Sequence, residues 1–260
     1  MTFVQVEGNE VVRTLTLRDP DRRNALSGAL LRELIEALSD ASRQGVRVAI
    51  LTTDPVHGVW SSGHDITELP DGDRDPLTWD NPLEEALRAI RGCPFPVIAA
   101  IDGSVWGGAC DLAITCDLIV ATESSQFAIT PTRLGIPYNT EGTAHFLSAL
   151  PVHVVKEMFF TADPIDAVRA WHLGIINELT ADREALIAST DRWARRITSR
   201  APLAIAAIKA EISTLSDARH LTSNEFERLN SLRTKAWMSQ DYREGLAAFR
   251  ERRDPSFRGR

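Results

Sequence analysis

Cysteine is scarce and unpatterned: Cys93, Cys110 and Cys116 are the only three, and no two form a C-x-x-C pair. Neither a disulfide framework nor a structural zinc site is indicated, so they read as small buried apolar residues. Long hydrophobic runs are also missing, and nothing approaches the ~18 apolar residues that a membrane-spanning helix needs. The first residues, Met1-Thr-Phe-Val-Gln-Val-Glu7, enter strand-like alternation without the basic and apolar regions of a secretory leader. A soluble, cytoplasmic protein with no membrane partner is expected. Excess positive charge is absent as well. The formal net charge of −7 excludes bulk attraction to nucleic acid, and no basic patch is interleaved with stacking aromatics. His57, His145, His153, His172 and His220 lack metal-ligand spacing, so no metal is expected. Repeats and low-complexity segments are not found.

What is there fits a globular chain: 260 residues, 43% of them hydrophobic, enough for one extended core with a small helical appendage. Residues 2–6 and 10–17 alternate around Gly8-Asn9 and predict a hairpin. Ser27 then caps a helix with Leu30, Leu31, Leu34, Ile35 and Leu38 on one stripe. A strand over 46–53 follows. Residues 70–80 form a polar, turn-rich loop that reads as a lid, before a helix capped by Asn81 with Pro82 at its first position. Strand, helix and strand repeat through residue 121, which predicts stacked β/α units with an open face. Beyond about residue 140 the pattern predicts helices over 151–160, 164–172, 183–198, 201–217 and 222–239, and a last one from Asp241. Thr222-Ser-Asn-Glu225 forms a capping box, and Phe226, Leu229, Leu232 and Trp237 follow at core spacing.

Two glycine-broken turns carry the chemistry. Ile101-Asp-Gly-Ser-Val-Trp-Gly-Gly-Ala-Cys-Asp111 runs from an apolar strand into a helix opened by Gly107 and Gly108. Free helix-start N–H groups, the positive end of the dipole and a missing Cβ together suit a negatively charged oxygen. Trp60-Ser-Ser-Gly-His-Asp-Ile66 is a second turn able to aim a backbone N–H into a pocket. Two N–H groups on one oxygen make an oxyanion hole. Taken singly, each turn is also an ordinary strand-to-loop connection. The arginine clusters Asp21-Arg-Arg-Asn24 and Arg250-Glu-Arg-Arg-Asp254 suit either a phosphate-bearing molecule or a solvated face.

Along essentially its whole length the chain resembles the crotonase, or enoyl-CoA hydratase/isomerase, superfamily. The matching strings are Arg23-Asn-Ala-Leu26, Ser61-Ser-Gly-His-Asp-Ile66, Gly103-Ser-Val-Trp-Gly-Gly108, Cys116-Asp-Leu-Ile-Val-Ala121, Leu134-Gly135 and the Phe249 to Phe257 end. The resemblance implies an α/β fold with a stacked ββα spiral core: residues 1–195 an acyl-CoA-binding core, 196–260 a helical trimerisation region. It puts the oxyanion-hole donors at His64 and Gly108. It also implies a homotrimer or dimer of trimers, and an acyl-CoA substrate whose coenzyme A is the only cofactor-like group. Contacts to that coenzyme A are expected from Ser62, Gly63, His64, Asp65 and Ile66, from Gly108 and Thr130, and from Arg23 and Arg252.

Hydratases of the superfamily use a pair of glutamates. Here those positions hold Asp111 and Thr132, and losing a positioned base typically costs about 10²–10⁴ in rate. Gly63-His-Asp-Ile-Thr-Glu-Leu-Pro70, Arg74-Asp-Pro-Leu77, Thr130-Pro131, Leu134-Gly-Ile-Pro-Tyr-Asn139 and Asn224-Glu-Phe-Glu-Arg228 resemble the methylmalonyl-CoA decarboxylase branch more particularly. Decarboxylation makes the enolate by losing carbon dioxide and needs no base, so Asp111 is expected to be dispensable. It does need the carboxylate held perpendicular to the thioester plane. Tyr138, an uncharged donor, is the expected holder, and the His64 ring can contact the carboxylate, supply the proton or face solvent. Two alternatives stand beside this: a hydratase, isomerase or thioester hydrolase using Asp111, and a non-catalytic acyl-CoA- or RNA-binding relative.

Overall fold

The protein is described here by a computed structural model covering residues 2–54, 57–69, 75, 77–78, 81–216 and 222–259. The loop read as a lid, and the Arg74-Asp-Pro-Leu77 string, lie largely outside these residues. The strands are β1 (Val4–Gly8), β2 (Val12–Leu17), β3 (Val48–Thr53), β4 (Val59–Ser61), β5 (Val97–Ile101), β6 (Ser104–Trp106), β7 (Leu118–Thr122), β8 (Gln126–Ala128), β9 (Ile165–Asp166) and β10 (Glu178–Thr180). The helices of the first half are α1 (Gly28–Arg43), α2 (Pro82–Gly92), α3 (Gly108–Thr115) and α4 (Thr140–Ala149). Those of the second are α5 (Val152–Thr161), α6 (Ala167–His172), α7 (Arg183–Thr198), α8 (Pro202–Ser216), α9 (Ser223–Trp237) and α10 (Gln240–Glu251).

Three successive ββα units, β3-β4-α2, β5-β6-α3 and β7-β8-α4, each add one strand to each of two sheets, which gives the expected spiral. The larger sheet runs β1-β2-β3-β5-β7-β10, parallel except for the β1–β2 hairpin, and the smaller runs β4-β6-β8-β9. Alternation along β3 and β5 explains why the larger sheet is covered on both faces. Ala49, Leu51, Val97, Ala99 and Ile101 enter the core beneath α1 and α2. Val48, Ile50, Ile98 and Ala100 face the other way, onto Leu186 and Ala194 of α7.

The second half departs from the helical reading in two places. Residues 164–172 are not one helix, because Ile165 and Asp166 pair antiparallel with β8, and the Asp166 carboxylate then caps α6 by accepting from the Arg169 N–H. Leu179 and its neighbours pair parallel with β7. In α9 only Trp237 of the expected core stripe is buried, while Phe226 and Leu232 are exposed. All three cysteines are buried and free. Among the described residues no helix is long and apolar enough to cross a membrane.

Candidate active site

The two glycine turns meet. Gly63 has φ +85°, and a Cβ there would fall 2.4 Å from the Trp106 carbonyl oxygen and 3.4 Å from the Gly108 nitrogen. Only glycine permits that approach and that backbone. A Cβ on Gly108 would lie 3.7 Å from the His64 nitrogen, so the backbones of the two turns lie against each other. Gly107, at φ +53°, caps α3 without a side-chain bond. Neither the His64 nor the Gly108 N–H donates to another described residue.

The turn bearing His64 is strapped to residues 22–26, which fixes its N–H. Leu26 N–H donates to the Gly63 carbonyl at 2.8 Å and Ser62 N–H to the Arg23 carbonyl at 3.0 Å. Ser61 Oγ donates to the Asn24 carbonyl at 2.6 Å, and Arg22 pairs with the buried Asp65 at 2.8 Å. Asn24 supports the strap by donating to the carbonyls of Asp54 and Trp60.

The turns open on a narrow cavity of about 60 Å³ lined by Ser62, His64, Ile66, Gly107, Gly108, Thr130, Tyr138 and Trp237, with Leu69, Leu77, Leu83, Pro131, Leu134 and Ile136. Its roof is the α9–α10 corner, where Trp237, Tyr242 and Leu246 pack with Leu69 and Ile136. A Cβ on Gly245 of α10 would strike the Leu134 carbonyl at 2.2 Å, so the helix rests directly on the cavity wall. Burial lowers the His64 ring pKa against the opposing pull of Glu68 and Asp65. The neutral ring leaves a buried Nδ1 without a partner among the described residues, a polar atom that suits a ligand.

Behind Tyr138 lies a buried polar cluster. The Tyr138 hydroxyl donates to Asp111 Oδ2 at 2.9 Å, and His145 Nδ1 meets Asp111 Oδ1 at 2.9 Å. Arg91 Nη1 reaches His145 Nε2 at 2.9 Å. Asn139 donates to Glu84, whose carboxyl burial pushes upward in pKa. Burial, with Asp111 next to it, also holds the Tyr138 phenol well above its ordinary value, so the hydroxyl stays protonated. Gly142 makes room for the cluster: a Cβ there would lie 2.2 Å from Tyr138 Cε1 and 2.7 Å from Asp111 Oδ2.

Of the residues expected from the sequence, Ser62, His64, Ile66, Gly108, Thr130 and Tyr138 line the cavity. Gly63 and Asp65 are buried behind it as scaffolding, while Arg23 and Arg252 are exposed and outside its wall. Both have positive φ, at 52° and 55°. Tyr138 differs from expectation in one respect: its single hydroxyl proton is held by Asp111 rather than turned to the cavity. Asp111, expected to be dispensable, organises the tyrosine. The second hydratase position, Thr132, does not line the cavity, and its Oγ1 donates to the Phe159 carbonyl at 3.0 Å. His145, Arg91, Glu84 and Asn139 were not read as site residues.

The sequence profile described as Enoyl-CoA hydratase/isomerase matches residues 7–260. Methylmalonyl-CoA decarboxylase of Escherichia coli strain K12 is 44% identical over 236 residues, covering 91% of this chain and 90% of that protein. Mouse mitochondrial enoyl-CoA hydratase domain-containing protein 2 is 32% identical over 257 residues, 97% of this chain and 86% of that one. Among solved structures, methylmalonyl-CoA decarboxylase in complex with 2-nitronate-propionyl-CoA superposes with a TM-score of 0.96 at 42% identity over 99% of both chains. The same enzyme complexed with 2S-carboxypropyl-CoA gives 0.96 at 41% identity over 100% of this chain and 99% of that one.

Proposed function

The chain belongs to the enoyl-CoA hydratase/isomerase family, and we propose that this enzyme decarboxylates methylmalonyl-CoA, or a close malonyl-type thioester, to propionyl-CoA without a separate cofactor. The observation that carries the reading is the state of the two positions where a hydratase keeps glutamates. Both oxygens of Asp111 are taken, by Tyr138 and His145, and Thr132 bonds a distant carbonyl. Neither Asp111 nor Thr132 lines the narrow cavity, so neither position presents a carboxylate to a water there. The free N–H groups of His64 and Gly108 suit the remaining task, which is to hold a thioester oxygen as it becomes an enolate.

In this mechanism the substrate carboxylate stands perpendicular to the thioester plane and its bond to Cα breaks. The electron pair moves onto the thioester oxygen, carbon dioxide leaves, and Cα then takes a proton. Tyr138 turns its hydroxyl to the carboxylate and fixes that torsion; as an uncharged donor it orients the group without over-stabilising it. The His64 ring, neutral and short of a partner, flanks the same space. Ser62, Ile66 and Thr130, which line the cavity, hold the coenzyme A arm through backbone and edge contacts, with Gly63 and Asp65 fixing their turn from behind. Arg23 and Arg252 add cationic help from outside the cavity, Arg252 toward a neighbouring subunit's ligand. Residues 196–260 supply the trimer face.

Incubating the purified protein with malonyl-CoA, methylmalonyl-CoA and crotonyl-CoA tests the reading. Carbon dioxide release from the first two with no hydration of crotonyl-CoA is expected. Hydrated product without carbon dioxide would make Asp111 a working carboxylate and overturn it.

A further inference from the structure

Tyr138, Asp111, His145 and Arg91 form a line of three hydrogen bonds through the wall between two cavities. On one side is the narrow cavity of His64 and Gly108. On the other is a cavity of about 600 Å³ whose lining includes Arg91, His145, Trp193, Arg196, Arg200 and Lys209. The bond directions are set by chemistry. A guanidinium has donors only, so Arg91 donates to His145 Nε2, that nitrogen carries a lone pair, and the ring proton sits on Nδ1. Nδ1–H then donates to Asp111 Oδ1 while the Tyr138 hydroxyl donates to Oδ2. Asp111 is the terminus of both arms. While that arrangement lasts, Tyr138 offers the narrow cavity only lone pairs, and lone pairs repel a carboxylate.

Resting on the decarboxylase reading, we propose that His145 is a positioning residue, which through Asp111 decides whether the Tyr138 hydroxyl stays on Asp111 or turns to the substrate carboxylate. With the ring neutral, the Asp111 anion has one uncharged donor from this side and keeps the phenol proton. A second ring proton, taken from solvent, can sit only on Nε2, and Arg91 must leave that nitrogen because two donors cannot share one acceptor site. The imidazolium then compensates Asp111 through Nδ1–H, and the phenol is released to the ligand. The large cavity gives that proton its route, for the His145 side chain keeps 13% of its surface exposed there.

The charged groups around the ring are Asp111 from α3, Arg91 and Glu84 from α2 and Glu141 on its own helix, with Lys209 of α8, Arg196 of α7 and Arg200 just after α7 lining the same cavity. Burial works against charging the ring, yet the Asp111 bond and charge outweigh it and Arg91 together, so its pKa lies above the ordinary imidazole value. The released state is therefore the low-pH state.

His145→Asn tests this, because an asparagine amide keeps a donor near the Nδ1 position and cannot titrate. Carbon dioxide release from methylmalonyl-CoA is followed against pH, and the affinities for propionyl-CoA and for carboxypropyl-CoA are measured alongside. Wild-type kcat should fall as pH rises through a limb above the ordinary imidazole value. His145→Asn should lose the limb and stay at the low plateau, and His145→Ala should fall further, about 10²-fold below the wild-type maximum. Affinity for propionyl-CoA, which has no carboxylate, should not move. The preference for carboxypropyl-CoA over propionyl-CoA should shrink with rising pH in wild type only. A limb that persists in His145→Asn, or a preference independent of pH in wild type, overturns the proposal. A wild-type protein that releases no carbon dioxide refutes the decarboxylase reading instead, and the pH dependence of the two affinities still decides the role of His145.

Discussion

Gly108 is constrained from two sides at once. A Cβ there would sit 2.8 Å from Leu83 Cδ2, inside contact distance, and its N–H is one of the two donors proposed for the substrate oxygen. Gly108→Pro removes that donor, and losing one oxyanion-hole donor costs about 2.7–4 kcal/mol in the transition state. Carbon dioxide release should drop accordingly, with thermal melts run to exclude unfolding; a folded variant with near-normal turnover would place the hole elsewhere. Asp111 is a different case. The proposed decarboxylation asks no base of it, but as an acceptor it holds two donors. Asp111→Asn offers one carbonyl oxygen to two donors: with its amide N–H₂ toward His145, Nδ1–H meets a donor, and with it toward Tyr138 the phenol oxygen accepts and the hydroxyl proton turns to the cavity. Losing the charge-assisted bonds of this buried site costs about 1–3 kcal/mol, so a lowered melting temperature is expected, and an unchanged melt would mean that the cluster rearranges freely. The contrast shows what the sequence carries. Gly63, Gly107 and Gly108 were legible because a backbone constraint leaves a glycine behind, and His64 because it follows one. Arg91 and Glu84 were not, since ordinary helix surfaces bear the same residues and only tertiary contact with His145 and Asn139 gives them a part.

At the scale of elements, the legible helices announced their own ends. Ser27, Asn81 and Thr222 cap α1, α2 and α9 through side-chain bonds to the first turn. The two-residue β9 left no such trace, because two residues show no period and their pairing with β8 comes from 40 residues away in the chain. α8 is held by something composition could not reveal. Its buried Lys209 donates to the Ile90 and Phe95 carbonyls at 2.9 and 3.0 Å and to Asp117 at 2.7 Å. Lys209→Met keeps the stem but leaves three acceptors short of a donor, so a loss of about 1–3 kcal/mol is expected, at roughly 2–4 °C per kcal/mol for a chain of this size class. Hydrogen exchange should show the amides of α8 opening before those of the sheet. If they keep their protection, the helix is held by its apolar contacts alone.

The whole molecule leaves its C-terminal helices half-partnered. Leu203 and Ile212 of α8 are 85% and 62% exposed, and Phe226 and Leu232 of α9 are 52% and 55% exposed. Phe226 and Leu232 belong to the stripe whose spacing predicted a core, and within the described residues that stripe is left uncovered. Trp237 and Tyr242, at the other end of this region, turn inward to roof the cavity, so the region both closes its own active site and presents apolar surface outward. Exposed apolar stripes of this kind mark a contact with another copy, and a stable contact needs about 800 Å² from each partner. Sedimentation equilibrium should therefore give three or six times the chain's mass. Because burial of apolar surface drives such an interface, raising the salt concentration should not dissociate it. Phe226→Asp with Leu232→Asp should shift the species toward monomer, and because the proposed oxyanion hole lies within one chain, the monomer should keep binding propionyl-CoA. A wild-type monomer at micromolar concentration would refute the trimer face and leave the stripes to some other partner.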